Sequence, residues 1–437
     1  MPVRFYQFYL FIALSLTYMV TFLQNMVMTV AAKDVMRDLE LSPDRMGLLG
    51  SSYLYAYGVS ILFSGMLAAW LGPRRTITLM FLLSGVGGLV FASATSFPIA
   101  CLGRILTGLG VSVVLASAIT FFSRWFRAGD FPMLSAIFFA IGGLGAFLGA
   151  APMAILIARW GWRNGFFLVA AATIFYALLA HFTFRDWPSA EMEPSLGFSP
   201  VPRRPDSLTD LGKGMLILFR NREFWKLAAW FIGMSGMYLS FIGLWAAPYL
   251  RDVQHFSEAR SGLVVSLFSL GFIIGNPVLS WYVEKRLHSN RLGLGMAGLL
   301  ALASVLVLLA GGDRLSYASL VALALAIGFA LSAPNALVYA SARNLFGSRL
   351  AGMASGALAS CCFASGALLQ ILTGFILAWA AGRGIATGSS YQLAFLVYIP
   401  CTAIAAWAGF SLSPASDPGR ISPLSWRFPP PGGGGQG

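Results

Sequence analysis

Apolar runs of membrane-crossing length follow one another along almost the whole chain, separated by short polar stretches. Twelve can be marked, near residues 7–31, 46–70, 76–95, 98–122, 131–157, 164–184, 224–248, 261–283, 291–311, 316–340, 350–378 and 389–411. About 20 mainly apolar residues let a helix cross about 30 Å of hydrocarbon. The runs are apolar on all faces and show no strict alternation, so they predict helices rather than the short strands of a barrel. An open strand edge in hydrocarbon would also leave backbone groups unpaired. The first run ends in no small-residue cleavage signal and reads as a retained helix.

The polar stretches differ in length and charge. The longest, "RDWPSAEMEPSLGFSPVPRRPDSLTDLGKG", lies between the sixth and seventh runs. It divides the chain into a first six-helix bundle over 1–185, a cytoplasmic linker over 186–222 and a second six-helix bundle over 223–411. Residues 412–437, ending "RFPPPGGGGQG", have nothing to pack and are expected to form a disordered cytoplasmic tail. With the N-terminus placed in the cytoplasm, the inner segments hold Arg4, Arg74, Arg75, Arg124, Arg127, the series from Arg185 to Lys226, Lys285, Arg286, Arg291, Arg343 and Arg349. The outer loops hold fewer bases, such as Arg37, Arg251 and Arg314, mostly near acids. That bias puts both termini inside. The expected fold class is an all-α membrane protein with twelve transmembrane helices in two bundles.

Composition agrees and removes several alternatives. Of 437 residues 58% are hydrophobic and 10% charged, against about 25% charged in a soluble domain. The formal charge of +13 sits in short loops rather than on one face, so nucleic acid is not an expected partner. Cys101, Cys361, Cys362 and Cys401 lie in apolar runs at no metal-ligand spacing and read as small buried hydrophobes. The three histidines, His181, His255 and His288, are far apart. No metal site is expected. Glycine-rich stretches lack the lysine followed by serine or threonine that a nucleotide cradle needs, so no cofactor is implied. An enzyme would want an acid–base pair in one cavity or histidines at ligand spacing, and neither is present.

The two halves echo each other. The second run ends "GMLAAWLGPRR", Gly65 to Arg75, and the eighth ends "SWYVEKRLHSNR", Ser280 to Arg291. Aligned by their charged exits, Glu284 stands opposite Ala69 and Lys285 opposite Trp70. The fifth run carries "GGLGAFLGAAP" and the eleventh "GMASGALASCCFASGALLQ", both rich in small residues. The Gly145 and Gly149 pair suits close helix packing, and Pro152 is expected to bend the outer part of its helix. Repeated halves mark many secondary transporters, with a site between the repeats.

With these features the chain resembles the major facilitator superfamily over nearly all of residues 7–411. The family's loop between helices two and three reads Gly, three residues, an acid, a base, one residue, Gly, one residue, then paired bases. Gly65, Gly72, Arg74 and Arg75 are in register, but Ala69 and Trp70 replace the acid and base. "GRILTGLG", Gly103 to Gly110, resembles the family's arginine-containing fourth-helix motif. "YLYAYG", the stretch from Arg124 to Pro152 and "GWRNGFF" resemble a bacterial branch. The resemblance implies two bundles that rock about a central cleft, and a latch at this loop that holds the outward-open state. Latch candidates are Gly65, Gly72, Arg74, Arg75, Glu284 and Lys285; Gly65 and Gly72 permit close approach and a tight turn. Without a carboxylate at Ala69 the usual first-half ion pair is missing, which leaves Glu284 as a one-sided alternative.

Candidate cavity residues follow from polarity within the runs. Arg104 lies about six residues inside the fourth helix, roughly 9 Å deep at about 1.5 Å per residue. Charge at such depth is costly and usually faces a cavity or a partner; the bland alternative is a structural arginine bonded to carbonyls or snorkelling outward. Thr21, Gln24 and Asn25 form a polar patch on helix one. Ser235 and Tyr238 on helix seven, Asn276 on helix eight and Gln370 on helix eleven complete the set, although helix–helix hydrogen bonds account for any one of them. Trp245 reads as part of an interfacial aromatic belt. No Asp or Glu lies well inside a run, so the charge inventory favours an anionic, zwitterionic or neutral solute over a cation. The leading expectation is a monomeric secondary transporter of a small metabolite in the bacterial inner membrane, or a specialised membrane derived from it, with protons a candidate coupling ion. The alternatives are a carrier of iron or an iron chelate, and a non-transporting sensor or assembly protein on a carrier fold.

Overall fold

The computed structural model describes residues 3–126, 131–187, 208–333 and 337–416. Most of the expected linker and nearly all of the expected tail lie outside the described residues. Among the described residues there is no strand. Eleven helical stretches are long and apolar enough to cross a membrane, and a shorter apolar helix covers Tyr317–Ser332.

The first half comprises α1 (Val3–Asp38), α2 (Pro43–Leu71), α3 (Pro73–Ala92), α4 (Phe97–Val111), α5 (Val114–Trp125), α6 (Phe131–Leu148), α7 (Ala151–Trp160) and α8 (Trp162–Thr183). After α9 (Leu208–Phe219), the second half comprises α10 (Arg222–Met237), α11 (Ala246–Asp252), α12 (Glu258–Tyr282), α13 (Asn290–Gly311), α14 (Tyr317–Ala333), α15 (Tyr339–Gly382), α16 (Thr387–Phe395) and α17 (Tyr398–Ser411). Several expected single helices are jointed. The fourth breaks between α4 and α5, and the fifth breaks ahead of Pro152, which stands in the first turn of α7. Proline fits that position because its missing N–H has no helical acceptor there. Helix one runs on to Asp38, past the expected end of its apolar run.

Tight turns are built where the sequence offers glycine before a helix start. Gly72 has φ +81° and is followed at once by Pro73, the first residue of α3. Gly161, φ +80°, joins α7 to α8 in the same way. Glycine reaches this left-handed region without the steric penalty other residues meet.

Two ends of the bundle can be distinguished. The base carries Tyr6, Trp125, Asp186, Lys226, Asn290, Asn344 and Ser411. There Trp125 donates to the Arg185 carbonyl at 3.1 Å and Lys226 to that of Ser411 at 2.6 Å. The crown carries the α1–α2 turn, Asp252 and Gly312. The two halves meet along α2 with α15, α1 with the α10–α11 region, and α7 with α12. Glycine lets them touch: a Cβ on Gly47 would strike the Gln370 carbonyl, and one on Gly374 the Pro43 carbonyl at 2.5 Å.

Contact along α2 and α15 is not uniform. It runs from the crown to the middle, where the Ser360 hydroxyl donates to the Gly58 carbonyl at 2.8 Å and the Tyr57 and Phe363 rings lie 3.9 Å apart. One heptad nearer the base are Gly65 and Gly356. Seven residues make almost two full turns, so both stay on the faces that meet higher up. A Cβ on either would find nothing within 4 Å. The pair is sealed toward the crown and splayed toward the base.

Candidate functional site

Arg104 occupies the core of the first half. Its α4 backbone is drawn close to α3 by paired glycines: a Cβ on Gly103 would stand 2.8 Å from the Gly87 carbonyl, and one on Gly87 2.8 Å from that of Gly103. The side chain is 3% exposed. Its guanidinium carbon lies 4.4 Å from the Tyr53 ring centroid and 5.9 Å from that of Phe91. Ring faces attract a cation, by about 2 kcal/mol or more where water is excluded. They satisfy no N–H. Nε is buried without a hydrogen-bond partner, and no carboxylate pairs with Arg104 among the described residues. A guanidinium so placed keeps at least one N–H donor without an acceptor of its own.

Where the halves meet in mid-bundle, hydroxyls and thiols cluster. Tyr18 of α1, Tyr57 of α2 and Tyr339 of α15 are near enough to act on one another electrostatically. Cys362 stands among Tyr57, Tyr238 and Tyr339 and meets the Ser235 hydroxyl. Tyr18 stacks on Phe138 at 4.3 Å, and Tyr238 on Phe272 at 5.9 Å. Thus Ser235 and Tyr238 adjoin a polar-aromatic group whose other members, Tyr18, Tyr57, Tyr339 and Cys362, the sequence reading had not singled out. Asn25 is half-buried and lies seven residues from Tyr18, on the same stripe of α1.

The remaining cavity candidates are placed differently. Gln24 donates to Thr173 at 2.5 Å and accepts from Ser84 at 3.1 Å, which ties α1 to α8 and α3. Thr21 donates to the Thr17 carbonyl at 3.2 Å on its own helix. Asn276 is half-buried on α12, just before Pro277. Gln370 donates to the Leu239 carbonyl at 2.9 Å, while its Oε1 is buried and unpaired. Leu239 belongs to a π-helical segment, Tyr238–Trp245, set between α10 and α11. Such bulges disturb the carbonyl ladder and recur at functional sites. Trp245, read from sequence as a belt residue, is 1% exposed, and its indole N–H has no acceptor; the bulge carries it into the bundle.

The latch candidates lie at the base. The Asp186 carboxylate accepts the Arg74 backbone N–H at 2.8 Å and crowds Gly72, so a residue just past α8 holds the turn into α3. Arg124 lies against Trp187 at 4.1 Å and donates to the Asp186 carbonyl at 3.1 Å. Burial lowers the pKa of Arg124, while the Asp186 carboxylate works to raise it. Arg75, Glu284 and Lys285 are exposed, the last two on a π turn over Val283–Leu287. Neither Glu284 nor Lys285 makes an ion pair among the described residues. No group of three or more metal-ligating side chains occurs among the described residues.

The family model described as Major Facilitator Superfamily matches residues 14–370. The chain belongs to that superfamily. Among its relatives is a probable sulfoacetate transporter of Cupriavidus necator, 23% identical over 417 residues, with 92% of each chain covered. A probable hexose phosphate transport protein of Chlamydia pneumoniae is 21% identical over 377 residues, 81% of each chain. A membrane sensor protein of Escherichia coli is 22% identical over 367 residues, 81% of this chain and 82% of that one. Among solved structures, a bacterial homologue of the human lysosomal transporter Spinster, inward-facing and occupied, superposes with a TM-score of 0.72 at 18% identity. It covers 93% of this chain and 96% of that one. As a superfamily member with eleven candidate spans, the protein is a multi-pass membrane transporter.

Proposed function

We propose that the protein carries a small organic anion across a bacterial inner membrane by exposing the cleft between its halves to each side in turn. The observation that carries this reading is Arg104, buried, unpaired at Nε and flanked by aromatic rings. A cation so placed disfavours cationic cargo and offers bidentate hydrogen bonds to a carboxylate, sulfonate or phosphate. Sulfoacetate and hexose phosphate, after which two of the relatives are named, are anions. In this reading the helix over Tyr317–Ser332, continued toward Tyr339, is a twelfth crossing, and the base with both termini is cytoplasmic. The splayed α2–α15 pair then describes an inward-open state. Proton coupling, if present, falls to the solute's own acid group, because no Asp or Glu lies in the middle of a described span.

The test is ligand-induced thermal stabilisation of detergent-solubilised protein by sulfoacetate, hexose phosphate and simple carboxylates, followed by uptake into proteoliposomes. A ligand at 100 times its Kd stabilises by about 2.7 kcal/mol. Arg104→Ala is expected to abolish the shift, and Arg104→Lys to retain part of it. Equal stabilisation of the wild type and Arg104→Ala by every anion would remove Arg104 from the site. The sensor relative supports a second reading, in which the carrier fold binds a solute without moving it. Saturable, Arg104-dependent binding with no uptake would select that reading.

A further inference from the structure

A tyrosine buried in a protein ordinarily places its hydroxyl on a hydrogen-bond partner. Tyrosines at either end of this bundle do so. Tyr6 and Tyr9 donate to Thr183 at the base, at 2.9 and 2.7 Å, and Tyr249 donates to the Gly312 carbonyl at the crown, at 3.0 Å. Five tyrosines in mid-bundle do not. Tyr18, Tyr53 and Tyr57 of the first half are buried, and Tyr238 and Tyr339 of the second are half-buried. None of their hydroxyls has a hydrogen-bond partner among the described residues, and none is sealed from solvent as the Trp245 indole nitrogen is. Open, unpaired hydroxyls this deep in the molecule line a space that water or a solute reaches.

Several of these rings already have a face engaged. Tyr18 stacks on Phe138 with centroids 4.3 Å apart, Tyr57 lies 3.9 Å from Phe363, and Tyr238 stacks on Phe272 at 5.9 Å. The Arg104 guanidinium lies over Tyr53 at 4.4 Å. What the group leaves free is O–H, which both donates and accepts. A carboxylate only accepts, and Arg104 supplies donors for that. An alcohol donates and accepts as a phenol does, so it is the group that matches an array of tyrosine hydroxyls. The two kinds of recognition are adjacent. Tyr53 contacts Arg104 and its ring lies 6.1 Å from that of Tyr57, one turn along α2. Tyr57 in turn adjoins Tyr18 and, across the boundary between the halves, Tyr339.

We infer that the cargo is a polyhydroxylated organic acid, held by its acid group at Arg104 and recognised along its length by the hydroxyls of Tyr57 and Tyr339, with Tyr18 and Tyr238 beside them. The inference rests on the central anion reading and narrows it, because aromatic and purely aliphatic acids leave these hydroxyls without partners. Tyr57 belongs to the first half and Tyr339 to the second, so a solute bonded to both joins the halves.

The experiment is isothermal titration calorimetry of the full-length protein in nanodiscs, corrected against empty nanodiscs. It compares gluconate and its C2 epimer mannonate with hexanoate and benzoate. At least one of the hydroxylated acids is expected to bind about tenfold or more tighter than either comparator. Tyr57→Phe and Tyr339→Phe keep the ring and remove the hydroxyl. Each should cut that preference about two- to tenfold, the scale of one neutral hydrogen bond. Gluconate and mannonate binding no tighter than hexanoate or benzoate, or not at all, overturns the inference. So does a preference that both phenylalanine variants keep in full. The central anion reading fails separately: gluconate or mannonate affinity that Tyr57→Phe reduces but Arg104→Ala leaves intact would remove Arg104 and keep the tyrosines.

Discussion

Asp186 stands just beyond the last helix of the first half, and its carboxylate meets the first free N–H groups of α3 at the Arg74 nitrogen. A negative oxygen there both satisfies an orphan donor and faces the positive end of the helix. Asp186→Ala is therefore expected to cost about 1 kcal/mol, as loss of a helix cap does, with a lower melting temperature and no change in the affinity of the Arg104 site. Asp186→Asn should retain most of that stability, because an amide oxygen can still accept. A melt unchanged in Asp186→Ala would show that water replaces the cap without loss. From sequence this aspartate was only the start of a polar linker, since a cap joining positions 112 apart leaves no local pattern. Arg104 was legible for the opposite reason: one charge inside an apolar run is conspicuous. Tyr18, Tyr57 and Tyr339 were not, because tyrosine is unremarked in membrane helices and only folding places their hydroxyls together.

The helices themselves were read well from apolar runs, because a bilayer leaves a spanning segment few other ways to satisfy its backbone. Their joints were read less well. Pro152 announced the break before α7, whereas nothing in "YLSFIGLW" signals the π segment over Tyr238–Trp245. That segment depends on a partner from another helix, the Gln370 amide donating to the Leu239 carbonyl at 2.9 Å. Gln370→Leu removes the donor and leaves a buried carbonyl short of a partner, a penalty of about 1–3 kcal/mol. A fall in melting temperature of matching size is expected, together with increased hydrogen exchange of the amides between Tyr238 and Trp245. Gln370→Glu should be tolerated if its acid stays protonated and donates in place of the amide. Normal exchange in Gln370→Leu would show that the bulge is fixed by its own packing.

Across the whole molecule, ion pairs between the two halves sit at the crown and none of those described sits at the base. Lys33 with Asp252 and Asp34 with Arg251 each join α1 to α11, while Glu284 and Lys285 stand exposed at the opposite end. With Ala69 and Trp70 in place of the family's acid and base, little charge pairing opposes the crown when the base is open. On the scale of surface pairs, about 0.2–1 kcal/mol each, the two together bias the equilibrium by roughly 0.4–2 kcal/mol, a factor of about 2–30. Asp34→Asn with Asp252→Asn is expected to move the population toward the base-closed state by that factor. The readout is the rate at which a cysteine at position 356 is labelled from the base in a background free of other cysteines, since Gly356 borders open space in the splayed state. Labelling should slow as the base closes, while a cysteine at position 381, which lines a pocket at the crown together with Lys33 and Asp252, should label faster. Exchanging the charges, Lys33→Asp with Asp252→Lys, should return both rates toward the starting values. Rates unchanged in the doubly neutralised protein would mean that the crown is held by the glycine-mediated contact of α2 with α15.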